Sequence, residues 1–317
     1  MNQTTTVNIE SVESFLKFMA KNGRQHSTIK RYRYEVTAFC KWTQKRQDLC
    51  KKPIEKFNDT DIQLYLNYAE RTFSCSKTTL KQKAVVIRNY LRYHNAPFPL
   101  ENKERIYPLT DFNFATDQDI NLLFEMMRSY KVLSKKQISA KKYLMNRNIL
   151  IVQLMLNHGL SLNDVATLTM YDVNFGTGII HVGQGSTLKR HIELSKEEKS
   201  LLFNYYKDIP EILQPKKDSH DPFFIAFDFA RSTFTWSYEN DSPKELTKIA
   251  IHRMLKKENK RANTNITPST LRNRFILNCL KNGVKRLEIK IMLGLKTDKS
   301  LERYISFYQN LILKNKI

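Results

Sequence analysis

Basic side chains are the residues of this sequence with the clearest chemical use. Lysine and arginine number 53 against 31 aspartate and glutamate, which gives a formal net charge of +22 and a pI near 9.7. Such side chains neutralise phosphates and release the counterions that surround nucleic acid. A polyanionic partner is therefore predicted. The alternative is a basic surface that serves only solubility, because charge alone specifies neither fold nor sequence preference.

Two kinds of segment place basic residues where they are able to hold phosphates or enter a DNA groove. Lys189 and Arg190 end a glycine-flanked hairpin with the sequence GQGSTLKR. Other basic residues lie on predicted helices of the first hundred residues, where a charge run is also typical of an ordinary solvated face. The helical candidates are Arg31, Lys77, Lys81, Lys83 and Arg88.

The composition bounds the class of protein. A chain of 317 residues is long enough for two domains, and 41% hydrophobic and 11% aromatic residues supply real cores. Only 8 glycines and 9 prolines occur. This scarcity argues against a turn-rich β-sandwich or a glycine-looped nucleotide-binding fold, and it favours a mostly helical protein.

The sequence offers no pattern for a metal, a cofactor or a small-molecule site, and we expect none. The seven histidines are scattered, and the cysteines lack zinc-ligand spacing. No stretch approaches the ~18 apolar residues of a membrane span. We expect a protein that is soluble and cytoplasmic, located at the nucleoid of a bacterial host, with reduced thiols. The thiols belong to Cys40, Cys50, Cys75 and Cys279.

Hydrophobic periodicity divides the chain into two domains. Four short amphipathic helices, the last over Ser76 to Tyr93, predict a helical domain of residues 1–95. A proline-containing stretch of mixed charge, residues 96–114, predicts a linker. The second domain, residues 115–317, is helical apart from short alternating runs between Asn174 and Leu194. Those runs contain four of the 8 glycines and predict a small antiparallel sheet.

Four motifs follow one another at informative spacing in the second domain. The first is GLSLNDVATL from Gly159, the second is the hairpin ending in RHIEL from Arg190, and the third is TPSTLRNRF from Thr267. The last, MLGLKTDKSLERY, places Tyr304 nine residues after Leu295. In this order and spacing, the motifs resemble the conserved boxes of the tyrosine recombinases, the phage-integrase family.

The resemblance implies a two-domain fold. Phe15-Leu16, Gly23 and STIKRY from Ser27 resemble the opening of the family's helical core-binding (SAM-like) domain. The remainder resembles the family's catalytic domain. The expected fold is therefore mainly α with a small antiparallel β-sheet, an N-terminal helical core-binding domain followed by a tyrosine-recombinase catalytic-like domain.

The same resemblance implies that part of the family's chemistry has been lost. The family has an arginine where this chain has Ser161, a histidine at Ser269 and a histidine or tryptophan at Leu295, and Asn273 replaces a further histidine. Two arginines, aided by histidine or tryptophan, neutralise the charge that builds on the scissile phosphate. Serine cannot replace a bidentate guanidinium. Because each lost partner costs roughly 10²–10³ in rate, the resemblance implies that this protein is not an enzyme.

Some of the family's site residues remain, and we interpret them as vestigial. Arg272 and Tyr304 occupy their usual places, and Lys189 lies one position from the usual lysine. The resemblance implies that Arg272 still holds a DNA phosphate; a structural salt bridge is the alternative. Arg274 is a further candidate for DNA contact by a different route.

These inferences predict a sequence-specific protein that binds double-stranded DNA, with two basic domains closing around the duplex. We expect it to act as a transcriptional repressor that maintains a prophage. An active recombinase with a rearranged site and a DNA-bending accessory factor are the alternatives. A terminal helix from Ile305 either docks on a second copy of the chain or folds back onto its own, and the sequence leaves both open.

Overall fold

The computed structural model describes residues 6–99, 108–183 and 188–314. The chain divides into two compact units, Met1–Arg105 and Ile106–Ile317. The segment predicted as a linker, residues 96–114, contributes to both units. Ala96 and Phe98 are buried in the core of the first unit, and Phe114 is buried in a cluster of the second. Residues 100–107 lie outside the described residues.

Within residues 6–99 the N-terminal unit has four α-helices, and polar side chains determine where three of them begin. Asn8, Asn58 and Ser76 each accept a hydrogen bond from the backbone N–H three residues later, which satisfies a donor that the helix leaves free. The helices are α1 Ile9–Lys21, α2 His26–Gln44, α3 Asp59–Phe73 and α4 Lys77–Tyr93, with a short 3-10 helix at Ile54–Lys56.

Aromatic side chains fill the core of this unit. The rings of Phe39 and Tyr65 meet edge to face with centroids 5.2 Å apart, and both side chains are almost completely buried. The buried hydroxyl of Tyr90 lies 2.6 Å from Ser11 Oγ, so the phenol is hydrogen-bonded and its burial leaves no unpaired group. This contact joins α4 to α1.

The C-terminal unit contains the remaining helices and all of the strands that we describe. Its central element is α6, whose residues 149–155 are buried on every side. The helices are α5 Asp117–Arg128, α6 Lys135–Asn157, α7 Leu162–Ala166, α8 Lys196–Asp208, α9 Lys248–Ala262, α10 Pro268–Lys281, α11 Arg286–Met292 and α12 Glu302–Lys314.

Three short antiparallel sheets interrupt these helices in the part of the unit that the structure describes. In the largest sheet, Ile180 pairs with Ile192 and Val182 pairs with Arg190. The pairing of Val182 with Arg190 therefore joins the last residue of one strand to the first residue of the next. The strands are β1 Val173–Asn174, β2 Ile179–Val182 and β3 Arg190–Glu193, then the pairs β4 Phe227–Asp228 with β5 Thr233–Phe234 and β6 Trp236–Ser237 with β7 Ser242–Pro243. The mainly helical fold and the antiparallel sheet between Asn174 and Leu194 are confirmed.

A separate hydrophobic cluster joins the last three helices. Phe275 of α10, Leu293 and Tyr304 are buried in it, and Phe307 stacks on Phe114 with centroids 4.6 Å apart. Within the described residues, α12 therefore packs against its own chain. Its exposed Leu313 is left on the surface.

Candidate nucleic-acid interface

Ser161 lies in the connection between α6 and α7, and its hydroxyl caps α7. The hydroxyl accepts a hydrogen bond from Asp164 N at 3.1 Å, and Asp164 Oδ2 accepts one from Ser161 N at 2.8 Å. Gly159 has a φ of +63°, and a Cβ at that position would lie 2.4 Å from Phe275 Cδ1. The serine is therefore committed to local structure, while the glycine lets the segment approach α10 closely.

Asp164 is the residue around which this site is organised. It is 2% exposed, and its Oδ2 lies 3.1 Å from Arg190 Nη2 and 3.5 Å from Arg272 Nη1. Burial by itself raises the pKa of Asp164, but hydrogen bonds from Ser161 and the charge of Arg190 outweigh it and lower the pKa. An ionised carboxylate thus holds two guanidiniums side by side. Sequence reasoning gave Asp164 no role, although it is the acidic residue of the GLSLND motif.

The two guanidiniums have different surroundings. Arg272 donates Nη2 to Leu293 O at 3.2 Å, and its side chain is 17% exposed. Burial lowers the pKa of Arg272, and the charge of Asp164 opposes this effect. The side chain of Arg190 is only 4% exposed, and its Nε and Nη1 have no hydrogen-bond partner in the described part of the chain. Converging donors of this kind suit one phosphate-like anion.

Tyr304 lies nearby in the fold, but its hydroxyl is enclosed. The residue is 6% exposed, and its hydroxyl donates to Asn273 Oδ1 at 2.7 Å. Arg303 Nη2 donates to the same hydroxyl at 3.0 Å, and Asn273 Nδ2 donates to Asn113 O at 2.8 Å. An amide oxygen is a weak proton acceptor, so this network holds the phenol without activating it.

Two other positions that the family uses hold groups unsuited to proton transfer. Ser269 is exposed on the first turn of α10, and Leu295 is half-buried against the cluster that contains Tyr304. Lys189 directly precedes β3 and is exposed. The hairpin residues 184–187 lie outside the described residues.

Arg274 is held by partners within the protein. Its side chain is 14% exposed, and Nη2 lies 2.5 Å from Asp117 Oδ1. Nη1 also contacts Ala115 O at 3.5 Å. These contacts join α10 to the start of α5, and the expectation that Arg274 contacts DNA stays a prediction.

The five basic candidates of the first unit differ in availability. Lys77, Lys81 and Arg31 are exposed, and Arg31 donates to Gln82 at 3.3 Å. These three side chains remain our candidates for phosphate contact in this unit.

The other two candidates are engaged in ion pairs. Lys83 is 8% exposed, and its ammonium donates to Glu35 at 2.5 Å. Arg88 is partly exposed and pairs with Asp59 at 2.8 Å. The charge of Lys83 is compensated within the fold, and the expectation that Lys83 and Arg88 contact DNA stays a prediction.

Glu198 anchors the chain that leads into Ser161. Its buried carboxylate accepts hydrogen bonds from Asn157 Nδ2 at 2.9 Å, His158 Nε2 at 3.0 Å and Ser195 N at 2.9 Å. Burial alone raises the pKa of Glu198, but these hydrogen bonds outweigh it and lower the pKa to about 2. The carboxylate therefore ties the end of α6 to the start of α8.

We expect this anchor to make stability depend on pH in acid. The folded pKa lies below the unfolded value of ~4.3, so the stabilisation of about 3 kcal/mol is complete above that value. It is lost as pH falls from ~4.3 towards 2. Unfolding free energies of the wild type and Glu198→Gln, measured across this range, should converge as pH falls. Glu197→Gln, an exposed neighbour, should leave the profile unchanged; equal profiles for all three proteins would contradict the assignment.

The C-terminal unit also contains a cavity of about 560 Å³ between α5, α6 and α9. Its lining combines apolar side chains such as Met127 and Leu144 with basic ones such as Lys141 and Arg261. The expectation that the chain has no small-molecule site stays a prediction. Among the described residues, no cluster of three or more His, Cys, Asp or Glu is arranged for a metal, and none of the helices combines the length and apolar character of a membrane span.

Comparison with known proteins assigns the fold. Residues 114–310 match the phage integrase family, and residues 12–96 match the phage integrase N-terminal SAM-like domain. The chain therefore belongs to the phage integrase family. It is 22% identical over 299 residues to the tyrosine recombinase XerC of Pediococcus pentosaceus, covering 90% of this chain and 89% of that protein. It is also 22% identical over 288 residues to XerD of Oceanobacillus iheyensis, with the same coverage.

Solved structures show the same architecture. The XerH site-specific recombinase in a post-cleavage complex with a palindromic difH substrate has a TM-score of 0.62 at 14% identity, covering 100% of this chain and 90% of that one. The integrase of transposon Tn1549 in complex with a circular intermediate DNA has a TM-score of 0.59 at 13% identity, covering 92% and 94%. This likeness establishes the two-domain recombinase fold.

Proposed function

We propose that this chain is a sequence-specific DNA-binding protein that uses a tyrosine recombinase fold without cutting DNA, and that it represses transcription. The observation that carries the proposal is the state of Tyr304. Its hydroxyl is buried and donates to the amide oxygen of Asn273. A nucleophile in this position has neither a base to activate it nor an open path to phosphorus.

The electrostatics of the site support binding more than catalysis. Ser161, Ser269 and Leu295 supply no charge to a developing oxyanion, and loss of each such partner costs about 3 kcal/mol of barrier. Arg272 and Arg190 remain beside Asp164, and they are suited to hold a phosphate in its ground state. A site of this kind gives affinity without turnover.

Double-stranded DNA is the partner that the family and the charge favour. The XerH and Tn1549 proteins were solved with DNA, and this chain carries a net charge of +22. We propose contacts from Arg272, Arg190 and Lys189 in the second unit. Exposed basic side chains of the first unit add phosphate contacts, and they are Lys77, Lys81 and Arg31. Binding should weaken steeply with salt.

A repressor is the biological role that suits a DNA-binding protein unable to cut. The lysine- and asparagine-rich, glycine-poor composition resembles chains of low-GC Gram-positive bacteria and their phages. The chain also resembles the lysogeny master repressor of SPβ-type Bacillus prophages. We therefore propose that it acts in the cytoplasm to maintain a prophage. The exposed end of α12, with Ile312 and Leu313, offers a surface for self-association on DNA.

An active recombinase is the second candidate. Arg272 and Tyr304 are retained, and the curated relatives at 22% identity are tyrosine recombinases. In that case Tyr304 moves out of its contact with Asn273 when DNA binds. A DNA-bending accessory factor is the third candidate, and binding with bending but without a change in transcription would identify it.

Two measurements in parallel test the proposal. A map of the protein's binding sites across the host genome should show discrete sites at promoters. Transcript levels measured in parallel should show that the genes behind those promoters are expressed when the protein is removed. A nicked suicide duplex containing such a site should yield no covalent adduct at Tyr304 by mass spectrometry. Sites that flank a rearranging element, together with a Tyr304 adduct that Tyr304→Phe abolishes, would establish the recombinase instead.

A further inference from the structure

We infer that the cavity between α5, α6 and α9 binds a small amphipathic anion, an apolar body that ends in a carboxylate or a phosphate group. The site is distinct from the proposed DNA contacts and does not depend on them. Its volume of about 560 Å³ falls within the range of pockets that hold drug-sized molecules. The inference departs from the sequence-based prediction that the chain has no small-molecule site.

Apolar side chains form most of the cavity wall. Leu144 of α6 and Leu246, which precedes α9, are buried and line it. Each of the three helices also contributes one methionine, Met127, Met145 or Met254. Methionine is unbranched and flexible, so these side chains adapt to the shape of a ligand. An apolar ligand body covered by this wall is removed from water, which favours binding.

The charged residues of the wall are almost all basic. Six basic side chains line the cavity, whereas Glu258 is its one acidic lining residue. Glu258 forms an ion pair with Arg261, and the other five basic residues form no salt bridge within the described parts of the chain. Charge of one sign around a space with apolar walls attracts the opposite charge. The six residues are Lys136, Lys141, Arg147, Arg253, Lys257 and Arg261.

Two of these cations are buried and donate hydrogen bonds only to neutral groups. Lys141 donates to Ser129 O. Arg147 donates to Ile225 O at 2.8 Å and to Asn148 Oδ1 at 3.0 Å. Burial lowers the pKa of both side chains, that of Arg147 to about 10, because their charge lacks a negative partner. They act on a bound anion through their charge, since their nitrogen atoms are already engaged.

Lys257 and Arg253 are the side chains that we assign to the head group of the ligand. They lie one turn apart on the same face of α9. Lys257 is half-buried, and its ammonium lies 5.2 Å from the centre of the Phe229 ring. A side chain restricted in this way loses less freedom when a ligand binds. Arg253 is exposed. Two neighbouring cations suit a carboxylate or a phosphate, which offers several acceptor oxygens.

Calorimetric titration of the full chain in the absence of DNA tests the inference. The probes are decanoate and decyl phosphate, with decanol and decyltrimethylammonium as neutral and cationic controls of equal chain length. One anion per chain should bind, at least roughly tenfold more tightly than either control. The affinities of the two anions then identify the preferred head group. Absence of saturable binding by both anions, or equal affinity for decanol, overturns the inference.

Neutral variants on α9 separate a cavity site from general attraction to a basic protein. Lys257→Met keeps an unbranched side chain but removes the charge, and it should weaken anion binding by roughly tenfold or more. Lys256→Met is the matched control, because Lys256 is an exposed neighbour on the same helix and does not line the cavity. Equal losses in the two variants would overturn the inference. Arg253→Gln is a second variant with the same expected loss, and thermal unfolding checks that each variant is folded.

NMR of isotope-labelled methionine methyl groups locates the bound anion. The signals of Met127, Met145 and Met254 should shift when the preferred anion is added. Met19 of the first unit and Met170 of the second are buried elsewhere, and their signals should stay in place. Saturable binding that leaves the three cavity signals unchanged would put the ligand at another site and overturn the inference.

A DNA backbone is the alternative occupant of these basic side chains. An operator duplex, added without an amphiphile, should leave the three cavity methionine signals unchanged, and Lys257→Met should bind that duplex with wild-type affinity. Duplex-induced shifts of all three signals, together with weaker DNA binding by Lys257→Met, would assign the cavity to the DNA interface and overturn the inference. A protein that binds the anion but no duplex overturns the proposed function alone.

Discussion

Arg272→Ala should weaken binding to the operator by roughly 10- to 100-fold, which corresponds to loss of one charged hydrogen-bond pair. The side chain is partly exposed beside Asp164 and Leu293 O, so its remaining donors are available to a phosphate. The salt slope should fall by about 0.9, because one phosphate is no longer neutralised. Titrations by anisotropy over a range of salt concentrations measure both quantities.

Tyr304→Phe is the informative companion to this variant. It removes the hydroxyl that donates to Asn273, which should lower the unfolding free energy by about 1 kcal/mol. Operator affinity and repression should be unchanged, because the phenol is enclosed by protein. The proposal assigns phosphate binding to Arg272 and no role in binding to the Tyr304 hydroxyl. Wild-type operator affinity in Arg272→Ala would contradict it. Loss of operator binding or repression in a fully stable Tyr304→Phe protein would also contradict it.

Gly159→Ala should destabilise the C-terminal unit by about 2–5 kcal/mol. A left-handed conformation costs a non-glycine residue ~1–2 kcal/mol, and overpacking a core adds ~1–3 kcal/mol. Both apply here, because φ is +63° and the new Cβ would lie 2.4 Å from Phe275 Cδ1 and 2.8 Å from Leu293 Cδ2. Denaturant unfolding of the full chain, monitored by a signal that reports on the C-terminal unit, measures this decrease in the free energy of unfolding.

Gly283→Ala separates the two contributions. Gly283 has a φ of +72° with nothing within 4 Å of an added Cβ. Its substitution should cost only the conformational part, ~1–2 kcal/mol. Gly159 lies two residues before Ser161. Gly159→Ala should therefore also weaken DNA binding at temperatures where the Gly159→Ala protein remains folded. Equal losses of stability in the two variants would show that α10 moves aside and that close packing does not hold the Ser161 segment.

Local features of the fold were readable from the sequence. The sequence predicted a helix from Ser76 to Tyr93, and Ser76 caps α4 by accepting a hydrogen bond from Thr79 N. The alternation between Asn174 and Leu194 predicted the antiparallel sheet that contains β1 to β3. Capping and alternation depend on neighbours within a few residues of the chain, so a single sequence carries them.

The site was only partly readable. Motif spacing located Arg272, Tyr304 and the replaced position at Ser161, because those residues recur at characteristic intervals. The role of Asp164 was missed. The ion pairs of Lys83 with Glu35 and of Arg274 with Asp117 were also not readable from the sequence, and contact of either residue with DNA stays a prediction. A basic residue looks the same in sequence whether its partner is a phosphate or a carboxylate elsewhere in the fold.

The sequence by itself determined the family, the helical class, the basic charge and the absence of a guanidinium at position 161. The tertiary structure alone decided which cations meet. Arg190 and Arg272 reach one oxygen of Asp164 from two other segments of the chain, and the Tyr304 hydroxyl is enclosed by Asn273 and Arg303. Such contacts depend on how helices and strands far apart in sequence pack, and burial then determines which charges need a partner from outside the protein.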